Sequence, residues 1–318
     1  MKIAFVGKGG SGKTTLSGLF AGHLAALGRP VLAIDADINQ HLAAALGFPE
    51  PSLGAALGAR LPLIKQYLRG DNPRIASAEA MIKTTPPGRG SRLLRVVEDN
   101  PVYAECVREH GGVRLAVTGP FAEDDLGVSC YHSKIGAAEL LLNHLVDGPE
   151  EYVVVDMTAG ADSFASGLFT RFDLTVLVCE PTLRSVGVYR QYRDYARDYE
   201  VRLAVLGNKV CDAEDELFLR EQVGADLLGC MGRSAHVRAA ERGQHRPVTE
   251  LEPENLAALA AVRDLLDAAP KDWGRYQRQA VQFHLRYAEK WAGPGLAAQV
   301  DPEFVPGPQA LSLLAPTN

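Results

Sequence analysis

Lys2-Ile3-Ala4-Phe5-Val6 opens the sequence as a short apolar strand, and Gly7-Lys8-Gly9-Gly10-Ser11-Gly12-Lys13-Thr14 follows it directly. The glycine-rich stretch satisfies the pattern G-x-x-x-x-G-K-[ST] at every position, and a helical pattern begins near Thr14. Glycines let successive backbone N–H groups curl around a phosphate, and the helix N-terminus adds further donors and a positive dipole. The sequence therefore predicts a phosphate loop between a strand and a helix.

Three residues of this loop have predicted chemical roles. Lys13 is expected to reach the β- and γ-phosphates of a nucleotide, and the Thr14 hydroxyl to ligate Mg²⁺. Lys8 places a second cation inside the loop, which costs energy unless a highly anionic group lies close. We therefore expect Lys8 to point at phosphates of its own chain or of a neighbouring one. The predicted nucleotide contacts of the loop are Gly7, Lys8, Gly9, Gly10, Ser11, Gly12, Lys13, Thr14 and Thr15.

Short apolar runs alternate with longer stretches of helical periodicity along the chain. Continuous apolar strands are typical of a parallel sheet buried on both faces, and alternation with helices implies right-handed crossovers. The predicted strands are Ile3–Val6, Val31–Ile34, Val113–Val117, Tyr152–Val155, Leu174–Cys179 and Val201–Leu206. The fold class is α/β, a doubly wound and mostly parallel sheet with helices on both faces.

Two regions depart from this alternation. Residues 50–112 contain short helical pieces separated by Pro and Gly, and we interpret them as an irregular helical insertion in an ATPase domain of residues 1–270. Residues 271–318 follow Pro270 as an aromatic helix and a proline-rich tail. The aromatic stripe of this helix fits packing on the domain or across a dimer, or docking of a membrane surface or a partner.

Composition limits the function. The formal net charge is -6 at pH 7, so broad electrostatic binding of nucleic acid is not expected. The five cysteines have no repeated spacing, which is typical of a reducing compartment. With no long apolar run to span a membrane and no leader before the first strand, the sequence predicts a cytoplasmic protein.

Carboxylates follow two of the predicted strands. Asp35 and Asp37 end the second strand, and Asp156 ends the apolar run Val153–Val155 in a Walker B pattern. The carboxyl ends of parallel strands form the ligand edge of an open α/β sheet. We expect Asp37 to orient the attacking water, Asp35 to support the Mg²⁺ water shell and Asp156 to hold Mg²⁺. The alternatives are helix capping by Asp35 and Asp37 and an ordinary strand-end carboxylate at Asp156.

A base contact is predicted after the strand Val201–Leu206. Asn208 offers a donor and an acceptor to the N6/N7 edge of adenine, and Lys209 follows it. A guanine reader usually has an aspartate two residues after the lysine, where this chain has Cys211. The pattern favours ATP over GTP, although Asn208 also fits a simple turn.

The loop at 7–15 resembles the deviant Walker A motif of the MinD/ParA-type ATPases. In that group the resemblance implies that Lys8 crosses a dimer interface to the nucleotide of the partner, where it acts as an arginine finger does. The sequence is similar in particular to the CooC-type nickel-insertion ATPases of carbon monoxide dehydrogenase maturation. The stretches that carry this similarity are 35–47, 153–164, 179–187, 206–210 and 237–247. The resemblance implies an ATP- and Mg²⁺-dependent homodimer that serves a metalloenzyme client.

The metal feature of the CooC-type family is a Cys-x-Cys pair that joins its partner across the dimer axis. Here Cys130 matches one position and His132 replaces the second cysteine. Two chains together would offer a tetrahedral Cys₂His₂ site, suited to Zn²⁺ and tolerable for Ni²⁺. The alternative is that Cys130 and His132 bind no metal. Two other functions stay open: a positioning or partitioning ATPase, and a regulatory ATPase switch without a metal.

Overall fold

The computed structural model describes residues 1–37, 39–49, 53–119, 132–160, 164 and 166–312. Its strands are β1 (Lys2–Gly7), β2 (Val31–Ala36), β3 (Leu94–Arg95), β4 (Val107–His110), β5 (Val113–Val117), β6 (Leu145–Val146), β7 (Tyr152–Met157), β8 (Leu174–Cys179), β9 (Leu203–Val210) and β10 (Leu227–Gly232). Within the described ranges, eight strands form the main sheet in the order β10-β9-β8-β1-β7-β2-β5-β4. Every pair is parallel except β4–β5, and β3 pairs with β6 apart from this sheet. The predicted fold class is confirmed.

Helices cover both faces of the sheet. They are α1 (Lys13–Ala26), α2 (Leu42–Ala45), α3 (Leu61–Arg69), α4 (Pro101–Cys106), α5 (His132–His144), α6 (Leu183–Ala196), α7 (Ala213–Val223), α8 (Ala235–Ala240), α9 (Pro253–Asp267), α10 (Trp273–Tyr287) and α11 (Pro308–Ser312). One buried cluster joins α1 and α9 to the sheet through residues such as Phe20 and Leu259. A second joins α5, α6 and α7 to the opposite face through residues such as Leu141 and Tyr189. The strands are apolar on both faces because both faces are covered.

The six predicted strands are all present, and β9 runs on to Val210. Sequence patterning missed β10, whose six residues include two glycines and are mostly half-buried. It also missed β4, which is exposed at all but its first position and pairs at the sheet edge. Residues 107–110 are therefore an edge strand of the main sheet, although they lie in the segment interpreted as a helical insertion.

The C-terminal helix α10 packs on the body of the protein. Tyr276 is buried and donates through its hydroxyl to Asp173 Oδ1 at 2.7 Å. The Phe283 ring lies 5.5 Å from that of Phe169, centroid to centroid. The Lys271 ammonium, just before the helix, lies 2.8 Å from Asp173 Oδ2. Tyr276 and Phe283 of the aromatic stripe therefore pack within the chain. No helix in the described part of the protein is both long and apolar enough to cross a membrane.

Strand register brings the chemistry-bearing ends together. β1 lies between β7 and β8, with Phe5 beside Asp156 and Gly7 beside Val178. Asp35 of β2 is in register with Asp156 of β7. Consecutive carboxyl ends of parallel strands therefore surround the loop that follows β1, at the edge where open α/β sheets bind ligands.

Candidate nucleotide-binding site

The glycine-rich loop folds as a tight turn, and the backbone at its last glycine, Gly12, has a conformation that favours glycine. The Ser11 N–H donates to Lys8 O at 3.0 Å and closes the turn. Gly12 has a φ of 97°, and a Cβ atom there would lie 2.2 Å from Asn208 Nδ2. The left-handed backbone and this close approach both disfavour a side chain at position 12.

The N-terminus of α1 is suited to an anion. Its N-cap is Gly12, and within the described residues no side chain caps its first turn. Five other described helices are capped by side chains, namely Asn100 for α4, Thr182 for α6, Asp212 for α7, Ser234 for α8 and Asp272 for α10, whereas α2, α3 and α9 share the uncapped start of α1. Ser11 Oγ is buried and has no hydrogen-bond partner among the described residues. Backbone donors and a buried hydroxyl without a partner fit a phosphate group.

Lys13 and Asp37 form a buried ion pair. Lys13 Nζ donates to Asp37 Oδ2, and the two side chains are 11% and 6% exposed. The backbone N–H of Asn39 donates to Asp37 Oδ1 at 2.9 Å. Sequence analysis placed both residues near the phosphates, and the structure brings them into direct contact.

Asp156 lies under the start of α1. Thr14 Oγ1 donates to Asp156 Oδ2 at 2.6 Å, and Ser17 Oγ lies 3.4 Å from Oδ1. Burial raises the pKa of Asp156 to about 7, against the opposing effect of Lys13. A hydroxyl and a carboxylate at the end of the phosphate loop fit Mg²⁺, which uses few protein ligands beside phosphate oxygens and water.

Asp35 organises the backbone that follows β2. Its Oδ1 accepts the N–H of Asp37 at 3.1 Å, and its Oδ2 accepts the N–H of Leu42 at 2.9 Å. Burial raises the pKa of Asp35 to about 6, and these two N–H donors oppose the rise. The carboxylate thus shapes the segment that carries Asp37, and its role in a Mg²⁺ water shell stays a prediction.

Asn208 and Lys209 both fasten the phosphate loop. Asn208 Nδ2 donates to Ser11 O at 2.7 Å. Lys209 Nζ donates to Gly10 O at 2.7 Å, from a residue with the left-handed φ of 60°. Sequence analysis predicted that these residues contact the adenine base of the nucleotide. It did not predict their hydrogen bonds to the carbonyl groups of the phosphate loop.

Lys8 folds back on its own chain. Its Nζ donates to Gly9 O at 3.0 Å and lies 3.3 Å from Glu180 Oε2. Glu180 directly follows β8, so it lies at the same edge as Asp35 and Asp156. Sequence analysis did not identify Glu180 as a site residue. Its position directly after a predicted strand could have indicated that it lies at the ligand edge of the sheet.

These residues border a cavity of about 1180 Å³. At one end it is lined by Gly9, Lys13, Thr15 and Asp37, and it extends along α1 to residues 236–249. Cavities that hold nucleotide-sized ligands are typically about 300–1,000 Å³. The space beside the phosphate loop is therefore sufficient for a nucleoside triphosphate.

The predicted transition-metal ligands fall at the edge of the described structure. Cys130 lies outside the described residues, and only the backbone of His132, the first residue of α5, is described. Within the described ranges, no three His, Cys, Asp or Glu side chains are grouped so that they could hold a metal ion. The proposed pairing of Cys130 and His132 across two chains stays a prediction.

Comparisons with known proteins agree with this geometry. Residues 3–246 match the family described as "CobQ/CobB/MinD/ParA nucleotide binding domain". The chain is 33% identical over 244 residues to the carbon monoxide dehydrogenase accessory protein CooC of Rhodospirillum rubrum, which covers 76% of this chain and 87% of that protein.

Solved structures share the fold. The septum site-determining protein MinD from Pyrococcus horikoshii, complexed with Mg-ADP, superposes with a TM-score of 0.54 at 15% identity, over 84% of this chain and 96% of that one. An ATP complex of Cyanothece McdA gives a TM-score of 0.54 at 16% identity, over 85% of this chain and 98% of that one. At these low sequence identities, the similarity supports a shared fold and no finer statement.

Proposed function

Since the chain belongs to the CobQ/CobB/MinD/ParA nucleotide-binding family and is a P-loop ATPase of the MinD/ParA type, we propose that it works as a nucleotide-switched homodimer in nickel-cofactor maturation. The observation that carries the proposal is the meeting of Lys13, Thr14, Asp37 and Asp156 at the loop after β1. The identity with CooC supports the maturation role. Residues 1–270 would form the ATPase domain, with 50–112 as its insertion and 271–318 as an appendage.

The loop from Gly7 to Thr15 would hold the triphosphate. Its backbone N–H groups and the first turn of α1 would face the phosphates, and the Lys13 ammonium would move from Asp37 to the β/γ-phosphate oxygens. Thr14 and Asp156, with Asp35 behind them, would hold Mg²⁺. When bound, Mg²⁺ supplies positive charge that neutralises the β- and γ-phosphate oxygens.

Asp37 would orient the water that attacks the γ-phosphorus. Its carboxylate is paired with Lys13, and transfer of Lys13 to the nucleotide would free an acceptor for a water proton. The water oxygen then bonds to phosphorus as the bond to the β–γ bridging oxygen breaks, which gives ADP and phosphate. Asn208 Oδ1 would accept from the adenine amino group while Nδ2 keeps Ser11 in place.

Lys8 would complete the site of a second copy. It is 35% exposed at the mouth of the loop, so its ammonium can leave its own chain without unfolding it. A cation brought to the γ-phosphate from a neighbour stabilises the charge of the transition state. Hydrolysis would then require two copies, and the bound nucleotide would decide whether they stay together.

The metal part of the proposal rests on Cys130 and His132. A pair from each chain would bind one Ni²⁺ or Zn²⁺ at the dimer axis, as cargo for a metalloenzyme client. The test is metal analysis of the untagged protein with Ni²⁺ or Zn²⁺ and a non-hydrolysable ATP analogue. We expect one ion per two chains, lost in Cys130→Ala and kept in Cys211→Ala, which removes an exposed thiol that forms no disulfide.

The same preparation separates the other functions. ATP-dependent sedimentation with liposomes or DNA, without bound metal, would indicate a positioning or partitioning ATPase. ATP hydrolysis with Mg²⁺ by a protein that binds neither Ni²⁺ nor Zn²⁺, and neither liposomes nor DNA, would indicate a regulatory switch. Metal retention by Cys130→Ala would contradict the proposed ligand pair.

A further inference from the structure

The Glu180 carboxylate joins two lysines at the mouth of the phosphate loop. Lys209 Nζ lies 2.8 Å from Glu180 Oε1, and Lys8 Nζ lies 3.3 Å from Oε2. Each ammonium also donates to a carbonyl of the loop, Lys8 to Gly9 O at 3.0 Å and Lys209 to Gly10 O at 2.7 Å. One carboxylate therefore connects both cations to the loop that would hold the phosphates.

Glu180 itself is fixed in place. Its backbone N–H donates to Ser185 Oγ at 3.1 Å, and its carbonyl accepts the N–H of Thr182 at 2.7 Å. Thr182 in turn caps α6. The Glu180 side chain is only 17% exposed. Burial raises its pKa, but Lys209 and Lys8 outweigh burial and leave the pKa below its usual value, so the carboxylate is charged at neutral pH.

The two lysines are not equivalent in this arrangement. Lys209 belongs to the end of β9, where its backbone is part of a strand. Lys8 lies in the loop, with the longer of the two ion-pair distances. If Lys8 departs, Glu180 and Lys209 remain as a neutral pair, so the departure leaves no unpaired charge at a partly buried position.

We propose that Glu180 is a positioning residue that holds Lys8 against its own chain until a second copy with bound triphosphate draws the ammonium away. This inference rests on the proposed function, since it assumes that Lys8 acts in the partner's site. Glu180 thereby sets the protein concentration at which ATP brings two copies together. We call the contact between Glu180 and Lys8 the Glu180 latch.

The first test reads the latch directly in the nucleotide-free protein. Lys8 acetylation by a limiting amine-reactive reagent is measured by peptide mass spectrometry in wild type, Glu180→Gln and the control Glu216→Gln. Glu216 forms an exposed ion pair with Arg220 on α7. We expect Lys8 to be acetylated about fivefold faster in Glu180→Gln, since loss of the charged partner leaves the Lys8 side chain free to meet the reagent. An unchanged rate in Glu180→Gln would overturn the latch.

The second test measures the effect of the Glu180 latch on dimerisation. Dimer formation with a saturating non-hydrolysable ATP analogue is followed by light scattering over a range of protein concentrations. Glu180→Gln should dimerise at about tenfold lower concentration than wild type, since each of the two chains that meet has lost one partly exposed contact and each loss contributes about threefold. Glu216→Gln should match wild type. Glu180→Ala should shift in the same direction as Glu180→Gln.

The outcomes distinguish the latch from the proposed function. A wild-type dimer with the same concentration dependence in Glu180→Gln would overturn the latch and leave the nucleotide-switched dimer standing. Weaker dimerisation of both Glu180 variants would assign the carboxylate to the dimer interface and also overturn the latch. Absence of a dimer in every protein would overturn both proposals.

Discussion

Lys13 Nζ donates a hydrogen bond to Asp37 Oδ2, so the cation expected to bind phosphate is paired with the carboxylate expected to orient water. The pair is almost fully buried, and in the proposed mechanism the two groups would separate before either acts. Arrival of a triphosphate supplies a more anionic partner for Lys13. In the proposed mechanism, nucleotide binding and activation of the water would therefore be coupled through this one ion pair.

The first prediction concerns this pair. Asp37→Asn should retain ATP binding, because Lys13 no longer has to leave a carboxylate, but it should lower the hydrolysis rate at least about 100-fold. Binding of a fluorescent ATP analogue and single-turnover hydrolysis measure the two effects separately. Asp264→Asn, on an exposed ion pair with Arg263, serves as the control. Wild-type hydrolysis by Asp37→Asn would remove Asp37 from the mechanism.

The second prediction concerns the contact between Asn208 and the phosphate loop. Asn208→Ala removes the donor to Ser11 O and should weaken ATP binding about fivefold, the usual effect of one neutral hydrogen bond. If Asn208 also contacts adenine, the preference for ATP over GTP should narrow in the same variant. Titration with both nucleotides measures this. Unchanged ATP affinity would show that neither contact matters.

A third prediction follows from the backbone of the loop. Gly12→Ala should destabilise the protein by about 1–3 kcal/mol, since it combines a left-handed φ of 97° with a close approach to Asn208 Nδ2. Gly9→Ala is the matched comparison, because a Cβ there meets nothing within 4 Å. Urea unfolding should therefore separate the two variants. Equal stability of both would mean that the loop relaxes freely.

The fourth prediction is a pH effect at Glu139 of α5. Burial raises its pKa to about 7, while Lys83 and Arg171 act to lower it. Because the pKa is higher in the folded than in the unfolded chain, the stabilising contribution of this group is present at low pH. It is lost as pH rises from about 4.5 to about 7.

Glu139→Gln removes this titration and keeps an acceptor for the N–H of Gly167. Relative to wild type, the variant should gain stability by up to about 1.4 kcal/mol per pH unit across that window. Urea unfolding at several pH values gives the difference, in which other titrating groups cancel. Parallel stability profiles for the two proteins would show that Glu139 does not titrate there.

The sequence was sufficient for the central fold because its strands are buried on both faces and read as continuous apolar runs. β10 was missed because glycines at positions 229 and 232 interrupt its apolar pattern. It is also an edge strand of the sheet and pairs with β9 alone. β4 was missed because three of its four residues are exposed. Edge strands have a weaker hydrophobic signal than central ones.

The candidate site was predictable where a local pattern identifies it. Lys13, Thr14 and Asp156 were placed correctly near one another because the loop and the strand ends have local signatures. The contacts of Asn208 with Ser11 and of Glu180 with Lys8 join residues far apart in sequence. No short pattern specifies such contacts, because they depend on the order of the strands in the sheet.

The central claim is that ATP is hydrolysed only where Lys8 of one copy meets the nucleotide of another. Lys8→Ala and Lys13→Ala should each be inactive alone, the first without the incoming cation and the second without the phosphate ligand. Mixed in equal amounts, they should regain up to about a quarter of the wild-type rate, because half of the dimers contain one intact composite site. A mixture as inactive as its separate components would contradict the account.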